Sequence, residues 1–160
     1  TPRGLSIKFW LANKLDRPNI IYRILVVVLP RMVGNTVPVF NNIDLFKGVD
    51  VGTVNTTIIS QVNSEYVLKV LYDKVVRNEQ GVSGVLGAVG SGQQKECHVV
   101  KKLWIKAGKG QRAIEYLDGG NLHKNNFLAV YVVPYDSYGT LQTDNIASMS
   151  YYANLYWKDI

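Results

Sequence analysis

The chain has 160 residues, 47% of them hydrophobic and 19% charged, with 18 basic against 12 acidic side chains for a net charge of +6. That length is one domain, able to bury about two-thirds of its unfolded surface, and that composition is globular. The lone cysteine, Cys97, excludes an internal disulfide, and no apolar run reaches the length of a membrane helix, so packing must hold the fold and no membrane insertion is expected.

Residues Gly4 to Ala12 alternate, with Leu5, Ile7, Phe9 and Leu11 on one face and Ser6, Lys8, Trp10 and Ala12 on the other. This is the pattern of a half-buried strand. A turn follows over Asn13 to Asn19, where Asp16 and Pro18 stand. Ile20 to Pro30 is apolar on both faces except at Arg23, as in a strand covered on two sides or paired into a subunit contact. Arg31 to Glu65 loses periodicity among Gly, Pro, Asn and Thr and reads as a long functional excursion, with a short helical turn near Asp44 to Gly48.

Tyr66 to Arg77, YVLKVLYDKVVR, is long and rich in aromatic and β-branched residues, and is expected to be the central strand. Strict alternation would place Tyr66, Leu68, Val70 and Tyr72 on an apolar face, with Lys69 and Asp73 on the other. Asn78 to Gln94 is a glycine-rich loop. Strands resume with ECHVVKKLWIKAG, in which Lys102, Trp104 and Lys106 share a face, followed by Arg112 to Leu117 and a DGGN turn. Phe127 to Tyr135 is a further buried strand, and ASMSYYANLYWKDI, with its aromatic residues, is the last.

Seven or eight strands with hardly any helix define an all-β chain. A single eight-stranded jelly roll, a two-sheet β-sandwich with long loops spanning 1–160, is the expected architecture. An immunoglobulin-like sandwich competes with it, but lacks here the cysteine pair of antibody domains.

Catalytic chemistry has little to stand on, and no enzyme and no cofactor is expected. His98 and His123 are the only histidines, too few for a three-histidine metal site. Cys97 and His98 are neighbours and would project to opposite faces of a strand. The glycines of GAVGSG, Gly87 to Gly92, lack the Lys and Ser or Thr of a phosphate loop. Asn55, Thr56 and Thr57 match a glycosylation acceptor by chance.

The basic residues carry more. Arg3, Lys8 with Trp10, Lys69 and Lys158 would make a basic, aromatic-studded face if the first, central and last strands are neighbours. A denser cluster holds Lys101, Lys102, Trp104, Lys106, Lys109 and Arg112. Such surfaces neutralise phosphates and stack bases without choosing a sequence. Residue by residue, each lysine also reads as an ordinary solvated charge.

The order of these features resembles a known family. YVLKVLYDKVVR, the Lys-rich KKLWIKAGKGQ, RAIEYLDGG, NNFLAVYVVPYDS and the terminal YYANLYWKDI are similar to the capsid proteins of small circular Rep-encoding single-stranded DNA (CRESS) viruses. They are also similar to satellite-necrosis-virus-like coat proteins. The resemblance implies a jelly roll that assembles with copies of itself into a small icosahedral, T=1-like shell around single-stranded DNA, with RNA not excluded. It also implies a basic arm upstream of Thr1, a host-cell receptor as a further partner, and residence in the virion and in the host nucleus or cytoplasm. By the same analogy, the sheet of the first, central and last strands faces inward, which favours Arg3, Lys8, Trp10, Lys69 and Lys158 as genome contacts. A carbohydrate- or receptor-binding jelly roll is the alternative, and a metal-dependent jelly-roll enzyme a third class.

Overall fold

In the computed structural model the described residues are 2–13, 19–30, 45–47, 58–79, 98–106, 127–135 and 146–157. They form six antiparallel strands: β1 (Pro2–Asn13), β2 (Asn19–Leu29), β3 (Lys69–Glu79), β4 (His98–Lys106), β5 (Phe127–Tyr135) and β6 (Ala147–Trp157). One three-stranded sheet has the order β4-β1-β6 and the other β3-β2-β5. The two sheets face each other as a sandwich.

Alternation builds the core between them. β1 sends Ile7, Phe9 and Leu11 inward, and β2 answers with Ile20, Tyr22, Ile24 and Val26. All seven are at most 3% exposed. The other side of β2 is also covered, because Leu25, Val27 and Leu29 pack with Leu45, Phe46 and Val67. β2 is therefore the strand sealed on two sides, as its nearly charge-free run predicts.

Arg23 is the exception in that run, and its burial has a visible cause. Its Nε and Nη2 donate to the two carboxylate oxygens of Asp73 at 2.9 and 2.7 Å, its Nη1 donates to the Ser60 carbonyl at 2.7 Å, and its guanidinium lies 4.8 Å above the Phe46 ring. Fork-shaped pairing and cation–π contact together offset the desolvation of a charge. Arg23 thus ties the covering segment to the sheet. A small backbone ladder supports it: Lys47 N–H donates to the Gln61 carbonyl and Asn63 N–H to the Leu45 carbonyl, each at 2.9 Å.

A second polar tie joins the two sheets. The Tyr22 hydroxyl and Asn78 Nδ2 both donate to Asn13 Oδ1 at 2.9 Å, and Asn13 Nδ2 donates to the Asn78 carbonyl at 2.9 Å. The end of β1 is so fastened to β2 and β3. Burial without these partners would cost each polar group about 1–3 kcal/mol.

The expected central strand is corrected in place, bounds and phase. β3 begins at Lys69, because Tyr66 and Val67 lie in a turn in which their N–H groups donate to the Asn63 carbonyl. Among the described residues it ends its sheet instead of dividing it. Its charges explain this: Lys69, Asp73, Lys74 and Arg77 suit an edge, where charge discourages further pairing. A bulge also breaks the alternation. Val26 pairs with Tyr72 and Val27 with Val70, leaving Leu71 as the extra residue, so Val70 and Tyr72 face opposite ways.

The all-β sandwich is as expected. The strand over Arg112 to Leu117 and the glycine-rich loop lie outside the described residues. Within the excursion, Leu45 and Phe46 are buried, and Phe46 bridges Val62.

Candidate nucleic-acid interface

The outward face of the β4-β1-β6 sheet is assembled by register. Across the three strands, Val100, Trp10 and Ser150 form one row, Lys102, Lys8 and Tyr152 the next, then Trp104, Ser6 and Asn154, then Lys106, Gly4 and Tyr156. Rows lie about 6.6–6.8 Å apart, two residues of strand rise. Residues opposite each other have Cβ atoms about 4.5–5.5 Å apart. The Lys8–Lys102 row is therefore within side-chain reach of the aromatic rings on both sides.

These strands hold five basic residues, Arg3, Lys8, Lys101, Lys102 and Lys106, and no acidic one. The aromatic residues on the face stand open to solvent: Trp10 is 41% exposed, Trp104 55% and Tyr152 64%. A shallow concavity of about 220 Å³ is lined by Lys8, Trp10, Val100, Ser150 and Tyr152 among others.

Two aromatic contacts shape the face. Trp104 and Tyr156 meet edge to face with ring centroids 5.1 Å apart, reaching across the intervening β1. Gly4 makes this crossing feasible, since a Cβ there would come within 2.6 Å of Trp104 Cζ2 and 2.9 Å of the Ile105 carbonyl oxygen. Trp10 and His98 lie 5.8 Å apart at a tilt of 31°. His98 is thus a neighbour of an exposed indole. No group of three or more His, Cys, Asp or Glu comes together among the described residues.

The register merges the two basic clusters read from the sequence. Lys8 and Trp10 share one face with Lys102, Trp104 and Lys106, because β4 pairs directly with β1. Lys101, opposite Phe9, points to the core side and is partly buried, so it leaves this face. Lys69 is the clear correction. It starts β3 in the other sheet, so it does not join Lys8, although its side chain is exposed. Arg3 is exposed at the start of β1. Lys109, Arg112 and Lys158, like Cys97 and His123, lie outside the described residues.

Tyr152, Tyr156, Val100 and Gly4 belong to the face, although sequence reasoning does not select them. Two-residue alternation in SYYANLYW puts Tyr152 and Tyr156 on one side, and that is the signal the sequence offers. Which neighbours they meet depends on strand order.

Comparison with protein-family models, curated proteins and solved structures finds no match to this chain.

Proposed function

We propose that the chain is a non-enzymatic viral coat protein, an eight-stranded single jelly roll that assembles with its own copies into a small icosahedral, T=1-like shell. In this reading the β4-β1-β6 face lines the shell and holds single-stranded DNA by sequence-independent phosphate contacts. The observation that carries it is the Lys8–Lys102 row, two cations set opposite each other between indole and phenol rings with no carboxylate in the three described strands of the sheet. Like charges placed so repel. A polyanion relieves that repulsion, and the flanking rings supply stacking platforms that accept any base.

The test is titration of fluorescent oligonucleotides at several salt concentrations, with electron microscopy of the purified chain. Binding that falls steeply with salt, is indifferent to base sequence and accompanies regular particles is the expected result. Salt-independent, sequence-selective binding, or a chain that never assembles, overturns the reading.

A carbohydrate-binding module is the second reading, favoured by the exposed rings of Trp10, Trp104 and Tyr152 on one face. It predicts glycan affinity that survives high salt and is unaffected by Lys8→Gln.

A further inference from the structure

Among the described residues four strands end the two sheets, and they are not alike. β3 carries three cations and two carboxylates, and β4 three lysines, whereas β5 and β6 contain no Asp, Glu, Lys or Arg at all. Among the described residues β6 has a hydrogen-bonded neighbour on one side only, β1. An uncharged strand of 11 residues without proline that ends its sheet among the described residues is a template for another strand.

The core is open along the same side. Met149, Tyr151 and Leu155 of β6 stand opposite Leu11, Phe9 and Leu5 of β1 and so point into the sandwich. They are nonetheless 48%, 68% and 48% exposed. Leu128 and Val130 of β5, on the core side of the facing sheet, are exposed as well. Apolar area of this kind, flanking a free strand edge, marks an interaction surface.

We infer that β6 pairs antiparallel with β6 of a second copy about a two-fold axis, joining the β4-β1-β6 sheets of the two copies into one continuous sheet. This deepens the coat-protein reading and rests on it in taking a copy of the chain as the partner. Charge favours β6 over β4 as the edge of this sheet that a like-charged copy can approach, and Pro134 removes a donor from β5, the other uncharged strand. Each copy carries +6, so a contact between two copies is least opposed by repulsion where both surfaces are neutral. Pairing through β4 would set lysines against lysines, while β6 brings no charge to its twin. An isologous contact reuses one patch on both subunits, and the exposed core-side residues of each copy then close the other's open mouth. The outward faces become continuous too, setting the two Lys8–Lys102 rows on one surface.

Sedimentation velocity over a concentration series, with hydrogen exchange of β6 amides, tests the contact. The wild-type chain is expected to associate, and the β6 amides to gain protection as concentration rises. Tyr151→Lys, at a site so exposed that the monomer fold is little affected, is expected to weaken association roughly tenfold or more. Ile59→Lys, at an exposed position outside both this edge and the Lys8–Lys102 face, is expected to leave it unchanged. Should Tyr151→Lys fail to fold, the concentration dependence of wild-type β6 exchange decides alone.

Association that survives in folded Tyr151→Lys, with β6 exchange independent of concentration, overturns the β6 contact while leaving shell assembly by other surfaces intact. Protected β6 amides at monomeric mass show that the edge is taken by the chain's own residues, which also overturns it. A β6-paired dimer that neither binds single strands nor forms particles upholds the contact and removes the coat-protein reading.

Discussion

Lys8 and Lys102 stand directly opposite each other in the β1–β4 ladder, with Tyr152 completing their row on β6. Directly opposed like charges destabilise a sheet on the scale of roughly 0.2–1 kcal/mol. Stability and binding therefore pull in opposite directions here. Lys8→Gln and Lys102→Gln are each expected to stabilise the fold by a few tenths of a kcal/mol, read by urea unfolding. Each should also flatten the salt dependence of single-strand binding, by about 0.7 in log–log slope for each phosphate that is no longer neutralised.

The indoles contribute in a different way from the lysines. Trp10→Ala and Trp104→Ala are expected to weaken oligonucleotide binding by about 1–3 kcal/mol for each stacked base, with the salt slope unchanged. Fluorescence anisotropy across salt concentrations separates this signature from that of a removed cation.

Gly4 is where the face depends on the absence of a side chain. Gly4→Ala brings its methyl within 2.6 Å of Trp104 Cζ2, and the Ile105 carbonyl at 2.9 Å gives it no room on the backbone side. Overpacking of this sort costs about 1–3 kcal/mol. The expected outcome is a lower unfolding midpoint together with a changed near-ultraviolet dichroism, as the Trp104 and Tyr156 rings are pushed apart.

On the other sheet, Asp73→Ala strands a guanidinium that is 6% exposed. Removing one partner of a buried ion pair costs about 3–5 kcal/mol. The destabilisation here is expected at or below the lower end, because Asp73 is itself 34% exposed and the Ser60 carbonyl and Phe46 ring remain. Equilibrium denaturation measures it, and the pair of changes Arg23→Met with Asp73→Leu should cost less than Asp73→Ala alone.

Burial raises the pKa of Tyr72 and of Tyr131 above the ordinary value of 10.0. A raised value in the folded state means that the fold holds the phenolic proton more tightly than the unfolded chain does. The stability linked to these groups is fully present below about pH 10 and is lost as pH rises through the folded-state values. Thermal melts at increasing alkaline pH should show this fall, and Tyr72→Phe and Tyr131→Phe should each make it shallower.

The strand content and most strand bounds were legible because period-two alternation is a local property. Leu5, Ile7, Phe9 and Leu11 declare a buried face without reference to any neighbour. β2 likewise announced burial on both sides through its apolar run. β3 misled for a physical reason: its aromatic and β-branched content resembles a core strand, while the bulge at Leu71 breaks its alternation and, among the described residues, it ends its sheet with charges at Lys69, Asp73, Lys74 and Arg77.

Alternation along each strand assigned Lys8 to Trp10 and Lys102 to Trp104, and composition showed an excess of positive charge. Only tertiary structure decided that β4 lies against β1, which joins those two pairs into one surface and leaves Lys69 on the other sheet. It also decided that Arg23 reaches Asp73, fifty residues away along the chain. The reason is that side-chain direction is set by neighbours in sequence, whereas strand order is set by which apolar faces and edges can be buried together, a property of the whole chain.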